Sequence, residues 1–203
     1  MEGGDWEAQS TNEDRSQEGG RRPWARDYFC GPNVPVGRAL TWMGWKVDAI
    51  DWLLDPAQDL SDSQYQAQLS RSTADYDAHI LAIECSTLTR AREKPIPGHP
   101  NPPLQLRSEA MPRGLDKLSA ADEYKVKQAN SYIDFALETA KRADEAKALV
   151  VVERPIRSYL SCFPAHTHLV QQPHWHAAHY WACAWYGARS KGQEMSANFP
   201  DAF

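Results

Sequence analysis

Four short segments, taken in order, constrain the fold of this 203-residue chain most strongly. The first is an aromatic segment that runs into a Gly-Pro-Asn turn, and each of the others is an apolar run that meets an acidic or thiol residue. They are DYFCGPN at 27–33, VDAID at 47–51, HILAIECSTLT at 79–89 and LVVVERP at 149–155. Open parallel sheets bind ligands at the carboxyl ends of their strands. The order therefore predicts a nucleotide-type cofactor beside a cysteine and a glutamate.

Strand-like and helix-like segments alternate along the chain. Strands are predicted at 27–30, 46–51, 78–84 and 148–153, helices at 34–45, 61–70 and 119–147, and two aromatic-rich strands within 178–199. Ser119 begins the longest helix in a capping-box-like arrangement, and Ser61 or Asp59 is available to cap the helix at 61–70. Six prolines exclude regular structure from 95–114. The alternation predicts an α/β fold, a Rossmann-like open and mostly parallel sheet with helices on both faces and a C-terminal antiparallel hairpin.

The beginning of the chain differs in composition from the rest. Residues 1–22 hold six acidic residues and four glycines, which predicts a disordered acidic tail over 1–24 and a folded domain over 25–203. The chain shows neither a signal peptide nor the roughly 18 apolar residues of a membrane span, so we expect an intracellular protein without a membrane partner, and a nuclear location stays open. Four cysteines without a CxxC pair predict thiols rather than disulfides.

The turn FCGPN at 29–33 is the first candidate for cofactor binding. Backbone amides in a glycine turn before a helix can hold a nucleotide, although the turn can equally serve only to start the helix. Asp51 ends the next strand 20 residues after Gly31, where a carboxylate can bind ribose hydroxyls or cap a helix. Trp52 can stack on an adenine, and the pair Asp59-Leu60 follows within reach of the adenine amino group.

Two further side chains follow buried strands and are candidates for catalysis. Cys85 is held by its strand and exposed by the loop that follows, as a nucleophile requires, although such a cysteine can also be inert packing. Glu153 ends a neighbouring strand, where a carboxylate needs a partner or a catalytic task. A salt bridge to Arg154 or Arg157 is the alternative.

The order FCG, acid, ECST, ERP resembles that of the catalytic core of cytosine-5 DNA methyltransferases, which bind S-adenosylmethionine on a Rossmann-like fold. The resemblance runs from about residue 27 to 199 and is closer still to methylase-like domains of algal and mobile-element proteins. That closer likeness rests on REKPIPGHPNPPLQLRSE at 92–109, GLDKLSAADEYKVKQAN at 114–130 and CAWYGARSKGQEMSANFP at 183–200.

The resemblance implies a role for each candidate residue. Cys85 would attack carbon 6 of a flipped cytosine, Glu153 would bind the N3 side of the ring, and carbon 5 would receive the methyl group. The cofactor, S-adenosylmethionine, would be held by Phe29, Gly31, Asn33, Asp51, Trp52, Asp59 and Leu60. Glu84 departs from the family pattern, which has proline before the cysteine, and a carboxylate there disfavours the reactive thiolate. A catalytically inactive domain that binds nucleic acid or a protein is therefore the alternative function.

A basic segment is the candidate contact for nucleic acid, and the resemblance favours DNA over RNA. Residues 86–117 hold six basic and three acidic residues, within a chain whose net charge is −5. Such a segment suits phosphate binding, although it can also be a solvated loop. The candidate arginines are Arg90, Arg92, Arg107, Arg113 and Arg154.

Histidines at 166, 168, 174, 176 and 179, with Cys162 and Cys183 beside them, suggest a third function. His-x-His and His-x-x-His spacings can bind zinc, but this run lacks the turns that would bring four ligands together. We therefore assign no metal ligand, and a zinc-stabilised interaction module remains the least favoured function.

Overall fold

The computed structural model describes residues 21–94, 103–181 and 192–199. These residues form a six-stranded mixed sheet and four α-helices, which confirms the α/β class. The elements in chain order are β1 (Trp24–Tyr28), α1 (Pro35–Trp42), β2 (Lys46–Ile50), α2 (Ser63–Arg71), β3 (Ala78–Ala82), α3 (Ala120–Glu145), β4 (Leu149–Pro155), α4 (Pro164–Val170), β5 (His176–Trp181) and β6 (Gly192–Ala197).

The strand order is β2-β1-β3-β4-β6-β5. The first four strands of this order are parallel, and β6 lies antiparallel between β4 and β5. The chain moves from β1 to β2 on one side and then returns to pair β3 with the other side of β1. This reversal creates a switch point between β1 and β3, the place where open α/β sheets bind ligands at the carboxyl edge.

The helices cover both faces of the sheet unequally. Adjacent residues of a strand point to opposite faces, and Asp27 and Tyr28 show which helix lies on each. The Asp27 carboxylate accepts a hydrogen bond from the N–H of Gly37 in α1, whereas the Tyr28 ring packs edge-on against Phe135 of α3. Leu69 of α2 and Leu169 of α4 belong to the same core cluster as Tyr28 and Phe135. Thus α1 lies on one face, and α2, α3 and α4 lie on the other.

β1 begins three residues earlier than predicted, because its polar residues are buried rather than exposed. Arg26 lies over the Tyr76 ring, 3.8 Å from its centroid, and its Nε donates to Asp48 at 3.2 Å. Asp27 is 1% exposed. The described part of the chain starts at Arg21, which pairs with Asp77. Residues 1–20 of the predicted acidic tail lie outside the described residues.

Helix ends follow local capping chemistry. The Ser119 side chain accepts from the N–H of Asp122, which confirms the predicted start of α3. The cap of α2 is Asp62 instead of Ser61 or Asp59, because the Asp59 carboxylate is used one turn earlier, on the N–H of Ser61. The short helix α4, which starts with Pro164, was not predicted.

The remaining expectations concern the proline-rich segment and the C-terminal strands. Residues 103–114 contain neither helix nor strand, as predicted, and 95–102 lie outside the described residues. β5 and β6 form an antiparallel pair, although the predicted Tyr-Gly turn at 186–187 falls outside the described part.

Candidate functional site

A cavity of about 180 Å³ opens at the carboxyl edge of the sheet, next to the switch point between β1 and β3. Its walls come from the residues that follow β1 and β2, from the end of β3 and from the middle of α3. The lining residues are Phe29, Asp51, Trp52, Leu53, Gln58, Leu60, Ala82, Glu84 and Tyr132. The volume is below the roughly 300–1,000 Å³ of most small-molecule sites, so the cavity is large enough to enclose only part of such a ligand.

Four of the seven predicted cofactor residues line this cavity: Phe29, Asp51, Trp52 and Leu60. The other three lie nearby in supporting positions. Gly31 donates its N–H to Asp51, Asn33 is exposed in the turn before α1, and Asp59 caps the turn that leads to Leu60. The seven residues are therefore gathered around one edge of the sheet.

Asp51 connects two turns through its carboxylate and does not cap a helix. Oδ2 accepts from the N–H of Gly31 at 2.8 Å, and Oδ1 accepts from the N–H of Leu53 at 2.9 Å. Its own N–H donates to the side chain of Gln58 at 3.1 Å. Because a carboxylate has about four acceptor positions, Asp51 retains capacity for ligand hydroxyls.

The turn after β1 holds an aromatic residue in a strained backbone conformation. Phe29 has φ 56° and Gly31 φ 67°, and only glycine adopts this region without a steric cost, which is roughly 1–2 kcal/mol for other residues. The N–H of Phe29 donates to the carbonyl of Ile50 at 2.9 Å, which holds it in place. Strain of this kind is concentrated at functional sites. Here it turns the Phe29 ring into the cavity wall.

Aromatic rings form two walls of the cavity. Phe29 packs edge-on against Tyr132, with ring centroids 5.5 Å apart. Burial raises the pKa of the Tyr132 hydroxyl, and the nearby carboxylates of Asp59 and Glu84 raise it further. Trp52 is 60% exposed at the rim, where its indole is available to a ligand. Tyr132 was not among the predicted site residues, because its proximity to the turns after β1 and β2 is a tertiary feature.

The cavity is acidic. Asp51 and Glu84 line it, and the nine lining residues include neither lysine nor arginine. Asp27 lies behind the turn, where burial raises its pKa to about 6 against the effect of the Gly37 hydrogen bond, and Asp51 adds to the increase. Burial, Asp27 and Asp51 together raise the pKa of the Cys30 thiol to about 12. Such a site favours a ligand that carries positive charge and disfavours phosphates.

The two predicted catalytic residues lie next to the cavity and are not among its lining residues. Cys85 is half-buried and directly follows Glu84, and its carbonyl accepts from the N–H groups of Leu88 and Thr89, which begins a turn. Glu153 lies on β4 in register with Ala82 of the cavity wall. Cys85 therefore lies just after β3, whereas Glu153 lies within the neighbouring strand β4, which continues to Pro155; the catalytic roles of both residues stay predictions.

Glu153 is held by β5 and β6. Its carboxylate accepts hydrogen bonds from the side-chain amide of Gln193 and, at 3.4 Å, from the hydroxyl of Tyr180. Burial and the charge of Glu153 raise the pKa of Tyr180 to about 12. The alternative partner Arg154 forms its ion pair with Glu194 instead, at 2.5 Å.

The candidate nucleic-acid arginines differ in accessibility. Arg113 is exposed and pairs with Asp134, and Arg90 pairs with Glu109. Arg92 donates to the carbonyls of Ser86 and Leu104, on either side of the segment 95–102. Arg154 has a side chain that is only 11% exposed. Contacts with phosphates would therefore fall chiefly to Arg90, Arg92 and Arg113.

Arg107 is enclosed within the protein. It is 0% exposed, and its guanidinium donates to the Thr87 hydroxyl, the Pro112 carbonyl and the Asn130 amide oxygen. Burial lowers its pKa to about 10. Because its guanidinium is buried and bonded to these acceptors, Arg107 stabilises the proline-rich loop and is not exposed to bind phosphates.

The histidine run does not converge on a metal site within the described part of the chain. No group of three or more potential ligands is found there. His174 and His179 contact Asp144 and Glu194 respectively, and His166 is a buried residue of α4. Cys30, Cys85 and Cys162 form no disulfide, and Cys183 lies outside the described residues.

The chain matches no protein-family model, and no curated protein is found to be similar to it. Among the helices of the described residues, none combines the length and apolar character needed to cross a membrane.

Proposed function

We propose that this chain is an S-adenosylmethionine-dependent, methyltransferase-like domain of Rossmann-like architecture that acts on nucleic acid, with cytosine carbon 5 as the methyl acceptor. The observation that carries the proposal is the acidic, aromatic cavity at the switch point, which contains Asp51 and Trp52. A dinucleotide cofactor would bring phosphates into a cavity without lysine or arginine among the described lining residues. S-adenosylmethionine brings a sulfonium and an amino group, both cationic.

The residues of the cavity fit the adenosine end of this cofactor. The Asp51 carboxylate, which already accepts from two backbone N–H groups, has acceptor positions left for ribose hydroxyls. Phe29, Tyr132 and Trp52 offer ring faces or edges for a base, and Glu84 offers a counter-charge. The small volume supports enclosure of this end of the cofactor, with the rest extending along the sheet edge.

In the proposed reaction, the cofactor and the side chains of the protein would have different roles. S-adenosylmethionine would supply an electrophilic methyl group. The Cys85 thiolate would add to carbon 6 of cytosine, which makes carbon 5 nucleophilic; after methylation, loss of the carbon 5 proton would expel the thiolate and restore the ring. Glu153 would hold the N3 side of the ring, and Tyr180 and Gln193 keep its carboxylate in place.

Cofactor binding is tested by calorimetry with S-adenosylmethionine, using tryptophan variants matched in chemistry. Trp52→Ala removes an indole at the cavity rim, whereas Trp42→Ala removes an exposed indole of α1 that does not line the cavity. Loss of one base–aromatic stack costs about 1–3 kcal/mol, so we expect at least about fivefold weaker binding for Trp52→Ala and no change for Trp42→Ala. The absence of binding by the wild type, or equal effects of both variants, would reject the proposal.

The acceptor is tested with an oligonucleotide that contains 5-fluorocytosine, in the presence of S-adenosylmethionine. Fluorine cannot leave as the carbon 5 proton does, so the thiolate should remain attached to carbon 6. We expect a covalent adduct that Cys85→Ser abolishes and Cys162→Ser, at another half-buried thiol, retains.

A catalytically inactive domain that binds nucleic acid or a protein is the second candidate. It is favoured by one observation: Glu84 lines the cavity, while the neighbouring Cys85 does not. In that case the chain binds cofactor and nucleic acid without forming an adduct.

A further inference from the structure

Two carboxylates line the cavity from opposite sides of β1. Asp51 directly follows β2, Glu84 follows β3 by two residues, and β1 lies between these two strands. Because neighbouring strands are about 4.8 Å apart, the backbones at the two positions are separated by roughly 10 Å. The two carboxylates can therefore contact different parts of one ligand.

The charge of Glu84 acts on the cavity and is not taken up by a salt bridge. Burial and Asp59 raise the pKa of the Tyr132 hydroxyl in the cavity wall, and Glu84 adds to the increase. The side chain of Glu84 is exposed and forms no ion pair among the described residues. The nearby Arg107 directs its guanidinium to uncharged acceptors instead. Glu84 is therefore available to a cationic ligand.

We propose that Glu84 is a specificity-determining residue that binds the sulfonium of the cofactor and so distinguishes the charged cofactor from its neutral product. This rests on the proposed function, in that the ribose of S-adenosylmethionine must lie at Asp51. The sulfonium is one carbon removed from the ribose, so a ligand held at Asp51 can present it to Glu84 across β1. Glu84 attracts the neutral thioether of S-adenosylhomocysteine less. It would therefore retain the charged cofactor and favour release of the spent one.

The aromatic walls supply a competing explanation for any preference for a cation. The ring faces of Phe29, Tyr132 and Trp52 also attract positive charge. The attraction of the carboxylate differs in one respect, because it is lost when glutamate is replaced by glutamine of nearly equal size. Glu84→Gln therefore separates the two sources of preference.

Calorimetry at neutral pH and low salt compares three ligands that share the adenosine group. They are S-adenosylmethionine, S-adenosylhomocysteine and sinefungin, which carries an amine in place of the sulfonium methyl group and is cationic there. Opposite charges about 4 Å apart in water attract strongly enough to change affinity about fivefold. We therefore expect the wild type to bind both cationic ligands at least about fivefold more tightly than S-adenosylhomocysteine. High salt should reduce this preference, because Glu84 is exposed.

Two glutamine variants complete the test. Glu84→Gln should bind S-adenosylhomocysteine as the wild type does, which shows that the site is folded, and should lose the preference for the cationic ligands. Glu123→Gln removes the same charge from an exposed position of α3 outside the cavity lining and should keep the preference.

Three results overturn the proposal. They are equal affinities of the wild type for the charged and neutral ligands, a preserved preference in Glu84→Gln, and an equal loss of affinity for all three ligands in that variant. The second result would assign the preference to the rings, and the third would place Glu84 on a group that all three ligands share. If none of the ligands binds to the wild type, the proposed function is rejected together with this inference.

Discussion

The Asp51 carboxylate accepts a hydrogen bond from the backbone N–H of Gly31 at 2.8 Å, which ties the turn after β1 to the end of β2. The same side chain therefore supports the turn and lines the cavity, where the proposed cofactor would lie. Its substitution affects folding and binding together, which is why the tryptophan pair is the cleaner test of the cofactor site.

The two roles of Asp51 can nevertheless be separated by comparing substitutions. Asp51→Ala leaves the N–H groups of Gly31 and Leu53 without their acceptor and should lower the free energy of unfolding by about 1–3 kcal/mol. Asp51→Asn keeps one acceptor oxygen and should lose less stability, while its affinity for S-adenosylmethionine falls at least about tenfold, because hydrogen bonds from the ribose to a charged acceptor are lost. Urea unfolding and calorimetry on both variants check this. Equal affinities of Asp51→Asn and wild type would remove Asp51 from the cofactor site.

Asp27 should make the protein less stable as pH rises through the weakly acidic range. Burial raises its pKa from 3.8 to about 6, so the folded state holds the proton more tightly than the unfolded chain. The stability present below pH 3.8 is therefore lost as pH approaches 6, by about 2–3 kcal/mol. Asp27→Asn retains an acceptor for the N–H of Gly37 and should be more stable than wild type by that amount at pH 7. Urea unfolding between pH 4 and 8 measures the difference, and equal curves would contradict it.

His79 should have the opposite effect over an overlapping range. Its Nε2 lies 2.9 Å from the carbonyl of Thr73 and must donate, so Nδ1 accepts from the Tyr28 hydroxyl. Burial lowers its pKa from 6.5 to about 4. The stability that neutral His79 provides above pH 6.5 is lost as pH falls towards 4, by about 3 kcal/mol.

The matched substitution for this group is His79→Gln, which offers one donor and one acceptor and does not titrate. It should reduce the acid destabilisation in urea unfolding, whereas His168→Gln, at an exposed histidine, should not. If the free energy of unfolding of His79→Gln falls with decreasing pH as steeply as that of wild type, another group controls the acid destabilisation.

Arg107 should be required for folding of the loop before α3. Arg107→Met leaves the Thr87 hydroxyl, the Pro112 carbonyl and the Asn130 amide oxygen without their donor. We expect a loss of about 3–5 kcal/mol in the free energy of unfolding. Arg113→Met breaks an exposed ion pair with Asp134 and should cost at most about 1 kcal/mol. Comparable losses in the two variants would contradict the structural role of Arg107.

Most secondary-structure elements could be predicted because their signals are local. An apolar run gives β3 and β4, and the capping pattern at Ser119 gives the start of α3. The start of β1 was missed because Arg26 looks like a surface residue until its partner Asp48 is brought beside it.

The candidate site was predictable in part for the same reason. Asp51 and Trp52 follow a strand, so their place at the sheet edge is a matter of sequence order. Tyr132 reaches the cavity only because α3 packs on the sheet. The contact between Gln193 and Glu153 joins residues 40 positions apart and depends on the pairing of β6 with β4.

The residue order by itself determined the α/β class and the position of Phe29, Asp51 and Cys85 after successive strands, because periodicity and strand ends are properties of neighbouring residues. Only the tertiary structure decided which carboxylates line the cavity, that Arg107 is enclosed, and that β6 holds Glu153. Those outcomes depend on pairing and burial between distant segments, where the free energy of desolvating a charged or polar group sets which partners it must have.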